Sequence, residues 1–253
     1  MKKILNILII LIPIAQAALL KSALFFDGYF FYFIVGTFFL TDILLYLFIP
    51  KKTDGKKVFI ISFPPLALLL AASAMLFFLE GERAQWLVIG IHTALQLLYG
   101  MRMYRFMFQE GYPEIFFTQT VSLVLLVSYF FFSFSFYALI YFLEIPIWYL
   151  IVPFLFLTFL FFLIHAWMHD ARAREYGKEL VACIILIAEA LLVIRWLPSL
   201  YHVNAFLITV LYFAVVSFGC GSLKKDISRA QKILTVILSV IVVVLVGITA
   251  QWR

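Results

Sequence analysis

Apolar runs, each broken by a short charged or polar stretch, set the rhythm of this chain. They cover residues 4–24, 29–49, 58–79, 85–101, 115–143, 147–168, 179–197, 204–221 and 233–250. Most of these runs are about 20 residues long, the length a helix needs to cross a bilayer, whereas strands of a membrane barrel would be about 10 residues with alternating polarity. Lipid offers no partner to a bare peptide group, so runs of this character predict helices that satisfy their own backbone. The predicted fold is all-α, a polytopic transmembrane helix bundle of about nine spans. The gaps are far shorter than the roughly 40 residues that a self-standing fold requires, so 1–253 reads as a single integral membrane domain with no soluble domain.

The first run carries an ambiguity. Met1-Lys2-Lys3 is a charged start, residues 4–14 are an apolar core, and Ala15-Gln16-Ala17 has the small-x-small form of a signal-peptidase site. Removal of residues 1–17 would leave eight spans. Against it, the apolar run continues past Ala17 to Leu20 and a further span follows directly.

Composition agrees with the pattern. The chain is 66% hydrophobic and 13% charged, about half the charged share of an ordinary soluble domain. The net charge of +6 changes the picture only through its placement. When the gaps are assigned alternately to the two sides, one side receives Lys2, Lys3, Lys51, Lys52, Lys56, Lys57, Arg102, Arg105, Arg172, Arg174, Lys178, Lys224, Lys225, Arg229 and Lys232. The other receives Lys21, Arg83, Arg195 and Arg253. Short cationic loops stay in the cytoplasm, so the first side is inside, the N-terminus is cytoplasmic and the C-terminus extracytoplasmic. The basic charge is thereby accounted for by anionic headgroups, and no nucleic-acid partner is implied. The short loops fit a multi-pass protein of a cell membrane, and we take a bacterial inner membrane as the working location.

Residue types within the runs suggest how they pack. Ala67, Ala71, Ala72, Ser73 and Ala74 let helix backbones approach closely, which places the third run in the interior. The fifth run, with Phe130-Phe131-Phe132-Ser133-Phe134, is expected to face lipid and, being long, to tilt or break. Pro64-Pro65 and Pro153 mark expected kinks. The 11 glycines are few for the broken helices of secondary transporters. Cys183 and Cys220 fall inside spans near their cytoplasmic ends, where reduced structural thiols are expected.

Polar side chains inside a span are costly and so form the candidate site list. Counting about 1.5 Å per residue from the run ends puts Glu189 near the midplane, with Gln96 at a comparable level. His92 and Gln96 are four apart and share a helix face, which Tyr99 continues. A mid-bilayer carboxyl with no Lys or Arg at its depth could exchange protons. Glu189, Gln96 and His92 could thus line a path between the fourth and seventh spans, or a neutral Glu could join the two helices by a hydrogen bond. Asp42, with Thr37 and Thr41 close by, lies nearer the inner side and fits an ion site or simple hydration.

A second cluster, His165-x-x-x-His169-Asp170, ends the sixth run. Histidines four apart project from one face as zinc sites require, and Asp170 could add an oxygen ligand. The alternative is an interfacial group, with His165 beside Trp167 in the aromatic belt. A zincin helix would carry Glu directly after the first His, and Ala166 stands there. A bis-histidine haem needs two histidines at one depth on separate helices; His92 is toward the outer leaflet, His165 and His169 toward the inner, and His202 falls in an outer gap. Asp170-Ala171-Arg172-Ala173-Arg174 lacks the glycine and spaced aspartates of the CDP-alcohol phosphotransferase motif, and Gly219-Cys220-Gly221-Ser222 is not the rhomboid Gly-x-Ser-Gly.

Three readings follow. The favoured one is a non-catalytic membrane component or assembly partner, in contact with the lipid bilayer and a membrane-protein partner. The second is a small-solute or proton-coupled transporter using Glu189, Gln96 and His92. The third is a lipid- or isoprenoid-processing enzyme with an inner-face site at His165, His169 and Asp170, the one place where a divalent metal would enter; no other cofactor is implied.

Overall fold

The computed structural model describes residues 2–26, 29–49, 55–168, 173–196 and 200–223. Among these, all regular structure is helical: α1 (Lys2–Phe25), α2 (Phe30–Phe48), α3 (Gly55–Phe77), α4 (Glu82–Phe108), α5 (Glu114–Phe142), α6 (Ile147–Met168), α7 (Ala173–Arg195) and α8 (Tyr201–Leu223). Five are long and apolar enough to cross a membrane: Ile7–Phe25 of α1, and α2, α3, α5 and α6. A shorter apolar stretch, Tyr201–Ser217, lies in α8. The expected ninth span, 233–250, lies outside the described residues.

Each of the eight helices overlaps one of the first eight apolar runs, but several overrun it. Helix α4 continues to Phe108 and carries Arg102 and Arg105 on its last turns, and α7 begins at Ala173 rather than 179. Arg and Lys are good helix formers and are favoured near a helix C-terminus, so a change from apolar to basic residues does not end a helix. Helix α4 stops where Gln109 turns extended, and Gly111 adopts a positive φ of 75° on the way into α5. Helices α3 and α6 run on through Pro64, Pro65 and Pro153.

The chain divides into two compact units, Met1–Phe131 and Phe132–Arg253, with the division inside α5. In the first unit α1 packs on α2 and α4, and α3 packs on α4 and α2. Helices α1 and α4 run in opposite directions, since Ile9 approaches Gly100 while Lys21 reaches the start of α4. There the Lys21 ammonium lies 3.6 Å from a Glu82 carboxylate oxygen and over the rings of Phe25 and Trp86, at 4.7 and 4.8 Å. The small residues of α3 do face inward: Ala67, Ala71, Ala72 and Ser73 are all buried. At the far end Phe106 stacks on Phe117 of α5, and the Arg102 guanidinium donates to the Tyr112 hydroxyl at 2.7 Å.

The second unit has an aromatic core. Phe136 meets Phe154 of α6 at 4.6 Å between ring centroids, Phe134 meets Tyr201 of α8 at 5.0 Å, and Tyr212 of α8 lies against Phe162 at 5.3 Å. Helices α6, α7 and α8 pack on one another.

The structure corrects the expectation that the fifth span faces lipid. Tyr129, Phe131, Phe134, Phe136, Tyr137 and Ala138 are buried, and the run from Ser133 to Ala138 is covered at every position. A helix that is apolar all round can be a core helix as readily as a lipid-facing one. The phenylalanines of α5 interlock with rings of α6 and α8, and such ring pairs add about 0.5–1.5 kcal/mol beyond simple area burial.

Candidate functional site

The polar residues singled out by sequence fall in both units. In the first unit, His92, Gln96 and Tyr99 form a buried stripe along α4, as their spacing requires. Gln96 Nε2 donates to the Pro65 carbonyl of α3 at 2.9 Å, and the Tyr99 hydroxyl donates to the Ile61 carbonyl at 2.6 Å. The second bond has a specific cause. In a regular helix the Ile61 carbonyl accepts from the N–H of residue 65, and Pro65 has none. Tyr99 thus supplies the missing donor from the neighbouring helix, the means by which membrane helices tolerate proline.

His92 differs from its neighbours on the stripe. It is fully buried, yet neither ring nitrogen has a hydrogen-bond partner.

A second interhelical polar group joins α1 to α2. Gln16, read in the sequence only as part of a cleavage-like tripeptide, is 1% exposed and donates through Nε2 to Thr41 Oγ1 at 2.6 Å. The same nitrogen lies 3.4 Å from the Thr37 carbonyl, to which the Thr41 hydroxyl also donates, at 3.0 Å. Thr37 in turn donates to the Ile34 carbonyl at 2.6 Å. Gln16 Oε1 is buried and unbonded. Sequence reasoning missed Gln16 as a packing residue; the available signal was a lone amide within an otherwise apolar span, where it needs a partner.

Asp42 does not join Thr37 and Thr41. The two threonines are buried and turned to Gln16, whereas Asp42 is exposed, on the same side of α2 as Phe39, Ile43 and Tyr46, which are 64, 50 and 73% exposed. Glu189 has a parallel setting in the second unit. It is exposed on α7 among Ile185, Leu186 and Val193, which are 52, 50 and 63% exposed. These neighbours stand three or four residues from Glu189, so the carboxyl rises from an uncovered apolar stripe.

His165 is buried in the second unit, with its ring 6.3 Å from that of Tyr212. Its expected companions, His169 and Asp170, lie outside the described residues. Among the described residues no three His, Cys, Asp or Glu side chains gather as a metal site. Cys183 is half-buried on α7, and His202 is the exposed second residue of α8 rather than part of a loop.

Hydroxyls elsewhere are held locally. Thr93, Ser128, Thr158 and Thr209 each donate to the carbonyl four residues back, at 2.7 to 2.9 Å. This is the usual way for Ser and Thr to be satisfied inside a helix surrounded by apolar material.

No protein-family profile, curated protein or solved structure matches the chain.

Proposed function

We propose that this chain is a non-catalytic, multi-pass component of a membrane complex, with its N-terminus cytoplasmic and its C-terminus extracytoplasmic, in a bacterial inner membrane. Nine spans, counting 233–250, give that topology together with the one-sided placement of Lys and Arg. The observation that carries the reading is where the carboxyls inside the apolar runs stand. Asp42 and Glu189 both rise from exposed apolar stripes, while in the first unit the interhelical polar contacts of Gln16, Gln96 and Tyr99 hold helices together.

A carrier needs its ionisable groups to line an interior path. A carboxyl facing hydrocarbon costs about 2.5–3.5 kcal/mol at the centre of a span, a penalty that a polar or cationic group of a neighbouring membrane protein would remove. Exposed aromatic and aliphatic residues around each carboxyl would supply the packing. A carrier remains the alternative, favoured by one feature, the unbonded buried imidazole of His92.

The test is the composition of the protein extracted with its native lipid, measured by native mass spectrometry. A complex of fixed stoichiometry is expected for the wild type, for Glu189→Gln and for Asp42→Asn, since the amides keep shape and hydrogen bonding. Glu189→Leu and Asp42→Leu should lose the partner while accumulating in the membrane at least as well as wild type, because leucine suits lipid better. Recovery of the bare chain from wild-type membranes would overturn the proposal, as would a complex indifferent to both leucine variants.

A further inference from the structure

We propose that the corner where α4 turns into α5 binds the phosphate of an anionic lipid in the inner leaflet, with Arg102 as its specific ligand and Arg105 beside it. The site takes only the choice of leaflet from the topology proposed above and nothing from the assembly reading. Arg102 is half-buried near the end of α4. Its Nη1 donates to the Tyr112 hydroxyl at 2.7 Å, its guanidinium lies 5.2 Å over the Phe116 ring, and the rings of Tyr112 and Phe116 themselves meet at 6.0 Å. A long cationic side chain on an open surface samples many rotamers. This one is held by a hydroxyl and a ring, so its conformational freedom is already restricted before any ligand arrives.

The oriented cation has no counter-charge in the chain. Among the described residues no carboxylate forms an ion pair with Arg102 or Arg105. Glu110 and Glu114, the acidic residues of the same corner, are both exposed. The Tyr112 hydroxyl takes one N–H of the guanidinium, and the others meet no acceptor among the described residues. A planar guanidinium matches phosphate because its fork can donate two parallel bonds. Arg105 is exposed and stands three residues on, so it neighbours Arg102 on the helix surface. Lys57 adds a third cation at that height. From the Tyr99 to Ile61 bond, the arginines stand three and six residues along α4 and Lys57 four residues back along the oppositely directed α3.

A phosphate reaches such a site either free in solution or on a lipid, and the surroundings favour the lipid. Ile115 and Phe116 are 58 and 42% exposed, an apolar edge that includes the ring under the guanidinium and on which an acyl chain can lie. Basic positions at the cytoplasmic ends of spans meet the leaflet that carries anionic lipids. The one-sided bias of Lys and Arg requires only the charge of Arg102. It does not require that the charge be oriented, which is what a bound headgroup uses.

The test is the full chain taken into detergent from bilayers of phosphatidylcholine and phosphatidylglycerol, with bound lipid counted by native mass spectrometry. One tightly held phosphatidylglycerol is expected on the wild type, retained in excess inorganic phosphate. Arg102→Gln should lose it. Lys178→Gln, which removes the same charge at an exposed position in the first turns of α7, should keep it. Equal losses in the two variants would reduce the effect to general surface charge and overturn the site, as would a wild type without the lipid. Release of the lipid by inorganic phosphate would overturn its assignment to a headgroup. Should Arg102→Gln fail to accumulate, Arg102→Lys decides, because it keeps the cation without the fork. It should hold the lipid about ten-fold more weakly, the worth of one charge-assisted hydrogen bond, and unchanged retention refutes the site. An inverted topology would change the leaflet and leave these outcomes as they are, so the two readings fail separately.

Discussion

Pro65 deletes one N–H and thereby creates one orphan carbonyl, at Ile61, which the Tyr99 hydroxyl takes up from another helix at 2.6 Å. The chain of cause runs from a single residue type to an interhelical bond. Its prediction is conditional. Tyr99→Phe should destabilise the protein by about 1 kcal/mol, the usual worth of one such bond or slightly more where an acceptor is left bare. In a Pro65→Ala background the restored N–H of residue 65 serves the Ile61 carbonyl, and the same Tyr99→Phe change should cost close to nothing. Unfolding midpoints of the four proteins of this cycle measure the coupling, and equal costs in both backgrounds would sink the explanation. The stripe His92, Gln96, Tyr99 was legible from its three- and four-residue spacing. Its role in holding α3 to α4 was not, because the partners are backbone carbonyls 31 and 38 positions away and carry no sequence signature. Gln16 was hidden for a different reason: its small neighbours Ala15 and Ala17 resemble a cleavage site, and close helix packing favours small residues too.

At the scale of elements, Ile9 of α1 packs closely over Gly100 of α4. A Cβ there would lie 3.1 Å from Ile9 Cγ2, closer than an ordinary contact, so that Ile9 would have to give by a few tenths of an ångström. Gly100→Val should therefore push α1 off α4, at a cost of about 1–3 kcal/mol, the usual range for overpacking. Ile9→Ala should recover much of that loss in the double variant, although alone it leaves a void and destabilises. Thermal unfolding of the two singles and the double checks this, and no rescue would mean that the contact does not set the crossing. Removing residues 2–17 should abolish accumulation of the protein altogether, because Gln16 and Ile9 would go together and leave Thr41 and Gly100 facing nothing. Helix positions were readable throughout the described residues because about 20 apolar residues in a row admit few other structures. Helix ends were not, as Arg102 and Arg105 show, since loss of hydropathy is not loss of helical propensity. The exposure of α5 was misjudged on composition, because phenylalanine is equally at home against lipid and against Phe154 or Tyr201.

At the scale of the whole molecule, the topology proposed here depends on cations acting as anchors on one leaflet. Within the first unit, one arrangement supports the alternation: Lys21 at the end of α1 sits beside Glu82 at the start of α4, as it must if the odd- and even-numbered connections lie on opposite sides. A single ion pair with one partner as exposed as Glu82 contributes at most about 1 kcal/mol, so it marks the layout without determining it. In the proposed layout that part falls to the bias of Lys and Arg over short loops. Alkaline phosphatase, which folds only outside the cytoplasm, should be active when fused after Arg253, and a fluorescent protein that folds only inside should be dark there. Between Lys52 and Lys56 the two reporters should give the opposite pattern. Replacing Lys51, Lys52, Lys56 and Lys57 together by Gln should weaken the contrast at that connection, because it removes charges whose placement, rather than their sign alone, carries the orientation. Were the reporters to exchange their behaviour at both positions, the leaflet assignment would be inverted. Were only the Arg253 fusion to reverse, the number of spans after α8 would be at fault, and the cationic anchors on the preceding loops would still stand.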